Sequence, residues 1–517
     1  PPAAVDPVLK QSRRLDLNPG PESDPETMPG TSPSTLRPAL LPALRTRSLR
    51  PALALLAALS VSCAAAGPGE ADWPPLAKKW FDRADASFRG GDIEDAETSV
   101  DSALHADAHR PEIRLLAARI ALARLEYAKV ATLLKGVEGT EASSIRGRAL
   151  WYNGEVEQAA DELERLVADP DVKDPWAADI AKLSRRGIGR KPFSMTGGMV
   201  AVSEMPRVGT AALIVPLEIS GEPALGLIAT GTAEVVLDAS KGAEPTWVSM
   251  RFGDKIEVRD VPALSKDLSG ISRQVNAPIR ALLGVNLLRH LHPTFDFMGG
   301  QFVVRNFESP PPPEATAVKL NYVRGGGMLL RGAVGSSQAQ QPASLLIDTA
   351  IPFPVALDDG GWKKAGVPLD SLKAVPNQGS LRAGTVPLLR LGAFDVPSVP
   401  GLAGNEPVKE REESLGIELD GLVGSGLFAS FRVTLVDGGR TMWLEDMPRE
   451  ALNQAPIDWS TDAPPEDGSY EEVEKEEAAP AQPGKPPAGK GPAAKPPAAK
   501  APAQDGKAGA PPKPGSK

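Results

Sequence analysis

Two short stretches of this chain follow one pattern and differ at the residue able to move a proton. Leu345-Leu346-Ile347-Asp348-Thr349-Ala350 is an apolar run ending in a carboxylate, and Leu422-Val423-Gly424 follows at a distance. Leu227-Ile228-Ala229-Thr230-Gly231 is the same run with a methyl group where the carboxylate stood, and Leu282-Leu283-Gly284 follows it. Asp348 is therefore the candidate acid–base group, and Thr349 and Ala350 complete its turn. Ala229, Thr230 and Gly231 form a degenerate counterpart. The repetition goes further. Phe252-Gly253 with Asp260-Val261-Pro262-Ala263-Leu264 parallels Leu391-Gly392 with Ser398-Val399-Pro400-Gly401-Leu402. Thr294-Phe295-Asp296, Gly299-Gly300 and Phe302-Val303-Val304 parallel Thr434-Leu435, Gly438-Gly439 and Met442-Trp443-Leu444. Landmarks repeated in one order make two copies of one unit. The second copy carries an extra acidic stretch, Glu406 to Glu418. It reads as a surface loop, because so many charges cannot be buried unpaired.

An apolar strand ending in Asp-Thr-Gly, followed by a distant apolar-apolar-Gly, resembles one half of an aspartic peptidase of the retropepsin-like or pepsin-like kind. The resemblance covers residues 195–447 and implies two mainly β halves, 195–308 and 317–447. Between them lies a Pro-rich linker, 309–316, in which Pro310 to Pro313 form a stiff joint. The resemblance implies two carboxylates that share a proton, one a base and the other an acid. It also implies that Thr230 and Thr349 tie the facing loops together by hydrogen bonds. A glycine after the threonine permits a backbone path that a Cβ would crowd. Here Ala229 stands where the first carboxylate should be, and Ala350 replaces the second glycine. Asp238 falls at the far end of the next strand and is a poor substitute. Each proton transfer contributes about 10²–10⁴-fold to such a reaction. The resemblance thus implies an aspartic-type endopeptidase homologue with impaired catalysis, binding peptide or protein in the inter-lobe cleft. Two alternatives stay open. One is an active endopeptidase using Asp348, for instance by pairing two chains through their second halves, and the other is a structural envelope scaffold.

Residues 73–185 change to Ala, Leu, Glu and Arg with helical periodicity. Gly91-Asp92-Ile93-Glu94-Asp95-Ala96 recurs as Gly154-Glu155-Val156-Glu157-Gln158-Ala159. Ala84 and Ala118 match a repeat of about 34 residues, and Gly147 follows after a shortened unit. This resembles tetratricopeptide repeats, which implies paired helices and a groove for a peptide or partner protein. The other reading is a spacer packed against the next domain. His105 and His109 lie four apart on one helix, and His290 and His292 alternate on a strand. Neither pair has a third ligand nearby, so no metal is expected. The chain has no Gly-rich phosphate loop in strand–loop–helix context, no Gly-x-Ser-x-Gly elbow and no His-Glu-x-x-His, and no cofactor is expected. Gly325-Gly326-Gly327 reads as a hairpin approach.

The 517-residue chain has a formal net charge of -9, which argues against nucleic acid as a partner. Residues 1–27 are polar and Pro-rich and read as an over-extended or disordered N-terminus. From Met28, several arginines precede the apolar run Ala52 to Val61, which is too short to span a membrane. Residues 28–66 read as an export signal of a bacterial envelope protein. Cys63, the single cysteine, follows that run and resembles a lipobox cysteine. That resemblance implies a lipid anchor on a membrane facing the periplasm, although Ser60 departs from the pattern. Ordinary cleavage after Ala64-Ala65-Ala66 is the alternative. Residues 461–517 form an acidic and then Pro/Ala/Lys-rich tail, too poor in apolar residues to fold. The expected fold class is multidomain α + β. An N-terminal TPR-like helical-repeat block precedes a mainly β, two-lobed aspartic-peptidase-like domain, and both termini are disordered.

Overall fold

The computed structural model describes residues 73–206, 211–239, 244–297, 299–376 and 380–446. Cys63, the 28–66 signal and the 461–517 tail lie outside the described residues. From Trp73 the apolar positions recur at helical spacing, and seven helices follow. They are α1 Pro75–Arg89, α2 Ile93–Ala106, α3 Pro111–Ala123, α4 Tyr127–Leu133, α5 Thr140–Tyr152, α6 Val156–Val167 and α7 Pro175–Arg186. Their starts are set locally. Asp92 and Asp174 accept hydrogen bonds from the backbone N–H groups of Asp95 and Ala177, satisfying donors that a helix start leaves free. In α6 the buried residues Val156, Ala159, Ala160, Leu163 and Leu166 line one face. Gly147 explains the close approach of α5 and α6, since a Cβ there would lie 2.4 Å from Leu163 Cδ2. Ala84 and Ala118 are likewise fully buried. α2 ends at Ala106, so His105 and His109 do not share a helix; His109 sits in the turn beyond, its N–H donating to Asp107.

The first lobe contains β1 Ser194–Gly197, β2 Val200–Glu204, β3 Ile214–Ile219, β4 Glu222–Ile228, β5 Val235–Asp238, β6 Thr246–Phe252 and β7 Ile256–Lys266. These are followed by α8 Ser269–Gln274, β8 Ile279–Leu283, α9 Val285–Leu291, β9 Thr294–Asp296 and β10 Gln301–Arg305. The second lobe begins with β11 Thr316–Val323, β12 Gly327–Gly335, β13 Gln340–Ile347, β14 Val355–Leu357, α10 Asp359–Lys364 and β15 Lys373–Ala374. It continues with β16 Arg382–Leu391, β17 Phe394–Ala403, α11 Asn405–Leu415, β18 Gly421–Val423, α12 Ser425–Phe428, β19 Phe431–Val436 and β20 Thr441–Asp446.

The duplication in the sequence is a duplication of topology. The sheets run β7-β5-β8-β4-β3 in one lobe and β17-β14-β18-β13-β12 in the other. In each, the strand entering the signature turn pairs parallel with the apolar-apolar-Gly strand, as β4 with β8 and β13 with β18. Each sheet closes on itself through β6 or β16, which pairs with both of its flanking strands. The lobes meet where β9 pairs antiparallel with β19, placing Thr294 opposite Thr434. Their hydroxyl oxygens are 2.8 Å apart. The expected hairpin at Gly325-Gly326-Gly327 forms, joining β11 to β12.

Glu406 to Glu418 does not form a loop but the helix α11, capped by Gly416 in a left-handed conformation at φ 72°. Its Glu, Lys and Arg residues are good helix formers, and only Val408 on it is buried, so most of its charges stay solvated. His290 is in the helix α9 rather than on a strand, its ring Nδ1–H donating to Asn286 O one turn back, and His292 caps that helix.

Alternation along the signature strands buries one set of side chains inside the lobes and turns the other outward. Ile228 and Ile347 point into the core shared by both lobes. Ile214, Leu227 and Val236 of the first lobe pack under the later helices. Leu346, Ala356 and Leu422 of the second pack under α1 to α3. One helical block therefore covers matching faces of both lobes. Trp247 fixes one seam, its indole N–H donating to Leu183 O at 2.9 Å over a Gly187 that a Cβ would fill. Ser344 fixes the other, donating to Gly90 O at 2.6 Å.

Candidate functional site

β4 and β13 deliver their signature turns to the same point between the lobes. Thr230 Oγ1 donates to Ile347 O at 2.9 Å, and Thr349 Oγ1 donates to Ile228 O at 2.8 Å. Each hydroxyl also accepts the other threonine's backbone N–H, at 3.0 and 3.1 Å. These four reciprocal bonds are buried and interlock the loops. They tie the lobes as the threonine pair was expected to.

The same symmetry identifies what faces what. Asp348 N–H donates to Val423 O, and Ala229 N–H donates to Leu283 O, so the two residues hold equivalent places. Gly231 packs against the acid, since a Cβ on it would lie 2.5 Å from Asp348 Cγ. The degenerate loop thus stands directly beside the carboxylate and contributes no second acid.

Asp348 is only 1% exposed and is not left without a charge partner. Oδ2 accepts from Arg411 Nη2 at 2.7 Å, and Oδ1 accepts from Ala350 N–H at 3.1 Å. Arg411 belongs to α11 and reaches in from a 40% exposed position. Sequence reasoning missed it, because the charged run read as a loop with no assigned direction. Gly416 closing a Glu/Lys/Arg stretch was the available signal of a helix. Chemically, a carboxylate whose oxygens are taken by a guanidinium and a backbone N–H lacks the second acid with which it would share a proton.

The other acids do not supply that partner. Asp238 sits at the end of β5 and accepts from Leu268 N–H at 3.2 Å. Glu234 is buried beneath the helical block, accepting from Trp176 Nε1 at 3.2 Å and Asn286 Nδ2 at 3.5 Å. Burial raises its pKa above the ordinary carboxylate value. Its partners belong to α7 and α9, away from the threonine interlock. Sequence reasoning did not single it out. Among the described residues no group of three or more His, Cys, Asp and Glu side chains is gathered as a metal site.

No protein-family model matches the chain, and no curated protein matches it. Among solved structures, it is similar to a retropepsin-like aspartic protease from Rickettsia conorii, with 19% identity over 25% of this chain and 88% of that one, at a TM-score of 0.18. It is also similar to the aspartic proteinase from Irpex lacteus, with 10% identity over 48% of this chain and 97% of that one, at a TM-score of 0.32. Neither likeness is close enough to transfer a residue's role.

Proposed function

We propose that this chain is an exported, lipid-anchored envelope protein whose aspartic-peptidase-like domain binds peptide or protein segments without hydrolysing them. One observation carries the reading. Ala229 holds the place equivalent to Asp348, and Asp348 is ion-paired to Arg411 instead of facing a second acid. Hydrolysis by this chemistry needs one carboxylate to activate water and another to protonate the leaving amine. The threonine interlock, by contrast, is intact, so the loops remain a rigid floor between two lobes. Ala350 is exposed beside the acid, and Phe353, 38% exposed, adds an apolar contact for an extended segment. The helical block, TPR-like in its repeated Gly-Asp/Glu pattern, serves in this reading as a brace across the lobes. Its packed face is taken by β4, β13 and their neighbours.

The test is binding of fluorescently labelled unfolded polypeptides by the full chain, read as anisotropy. Saturable binding weakened by Phe353→Asp, with the polypeptide recovered uncut, is the expected result. Absence of binding, or binding indifferent to Phe353→Asp, overturns the cleft as the binding site. Cleavage abolished by Asp348→Asn would replace this reading with an active endopeptidase.

A further inference from the structure

A second place in the molecule is built like a ligand site and plays no part in the threonine interlock. A cavity of about 780 Å³ lies where the helical block, α9 and the turn before β20 meet. Tyr127 comes from α4, Lys191 and Phe193 from the connection into β1, Arg289 and His290 from α9, and Arg440 from the turn. Arg289 is 6% exposed. Its Nη1 donates to Tyr127 Oη at 2.7 Å, its Nη2 donates to Asn286 Oδ1, and its guanidinium lies 5.3 Å from the Tyr322 ring centroid. Gly439 makes room for its stem, as a Cβ there would lie 2.4 Å from Arg289 Cγ.

This arginine is held in place but not neutralised. Among the described residues no carboxylate forms an ion pair with it, and its Nε has no partner. Glu234 stands behind Asn286, and burial pushes it toward its neutral form. A buried guanidinium without a counter-charge is unfavourable, and an anion in the cavity would relieve it. The rest of the lining agrees in sign. The one carboxylate, Asp437, is already paired to Arg440 at 2.5 Å, and Lys191 is exposed at the rim. His290 adds a flat face rather than a charge. It stacks on Phe193 with ring centroids 4.4 Å apart, and burial lowers its pKa to about 4.

We propose that this cavity binds a small organic anion, its carboxylate or phosphate group against Arg289 and its flat body against the Phe193–His290 stack. Arginine recognises both groups through charge-assisted hydrogen bonds.

Calorimetric titration of the full chain with benzoate, phenyl phosphate and benzylamine tests it. At least one of the two anions should bind, benzylamine should not, and the tighter anion identifies the acidic group. Arg289→Met should weaken binding about tenfold or more, the scale of one charged hydrogen bond lost. If that variant does not fold, Lys191→Glu and added salt must each weaken anion binding to the chain. No binding of either anion overturns the proposal. So does equal binding of benzylamine, or an affinity indifferent to Arg289→Met, or to both Lys191→Glu and salt.

Discussion

Gly231 and Ala350 occupy equivalent places in the two turns, and their difference bears on the missing acid. A Cβ at Gly231 would collide with the Asp348 carboxyl. By the two-fold relation of the loops, a carboxyl at position 229 would be flanked by Ala350 as Asp348 is flanked by Gly231. Ala229→Asp alone should destabilise the chain by about 1–3 kcal/mol through overpacking, and adding Ala350→Gly should restore much of the loss. Denaturant melts showing no such coupling would contradict the facing geometry. Arg411→Ala should cost about 1–2 kcal/mol. That is less than for a fully buried pair, because Arg411 is 40% exposed. Adding Asp348→Asn should recover part of it by removing the stranded charge. Glu234 makes a prediction in pH. Its folded pKa is raised, so the native state holds its proton longer than the unfolded chain does, and stability falls as pH rises from the unfolded value through the raised one. Glu234→Gln should therefore raise the melting temperature by a few degrees at neutral pH and little at acid pH. A loss of stability at neutral pH would reverse that account.

At the scale of elements, the signature strands were legible because each is an apolar run closed by a distinctive turn and matched to a distant Leu-Leu-Gly or Leu-Val-Gly. The parallel pairings β4–β8 and β13–β18 follow from that arrangement. α11 was not legible, because a charged run carries little hydrophobic periodicity and its direction depends on Val408 and Leu415 finding the second lobe. The Arg411–Asp348 pair depends on that direction and could not be read from spacing. His290 was misplaced for a related reason, since Leu-Arg-His-Leu-His alternates like a strand until Asn286 sets a helical turn. The seam between helices and lobes was also hidden, because outward-facing leucines of a strand look the same whether water or a helix covers them. Trp247 tests that seam. Trp247→Ala should cost about 3–5 kcal/mol by emptying its place between Gly187 and Trp151, whereas an indole left in water would cost almost nothing. Chemical denaturation of the two proteins distinguishes these outcomes.

At the scale of the whole molecule, one helical block spans matching faces of both lobes, and the threonine interlock joins them beneath it. Relative motion of the lobes would have to break the Trp247–Leu183 or the Ser344–Gly90 hydrogen bond. The arrangement suits a fixed binding surface better than a cleft that opens and closes on each turnover. The proposed anchor makes a separate prediction, since Cys63→Ala should move the chain from the membrane fraction to the soluble one. A wild-type chain already soluble and starting at Gly67 would remove the anchor and leave export standing. The central claim is that the facing loops hold one acid where hydrolysis needs two. Its most direct measurement is cleavage of unfolded polypeptide by the full wild-type chain across acidic and neutral pH, beside an Asp348→Asn control. The account predicts no cleavage above that control at any pH, and turnover that disappears with Asp348→Asn would contradict it.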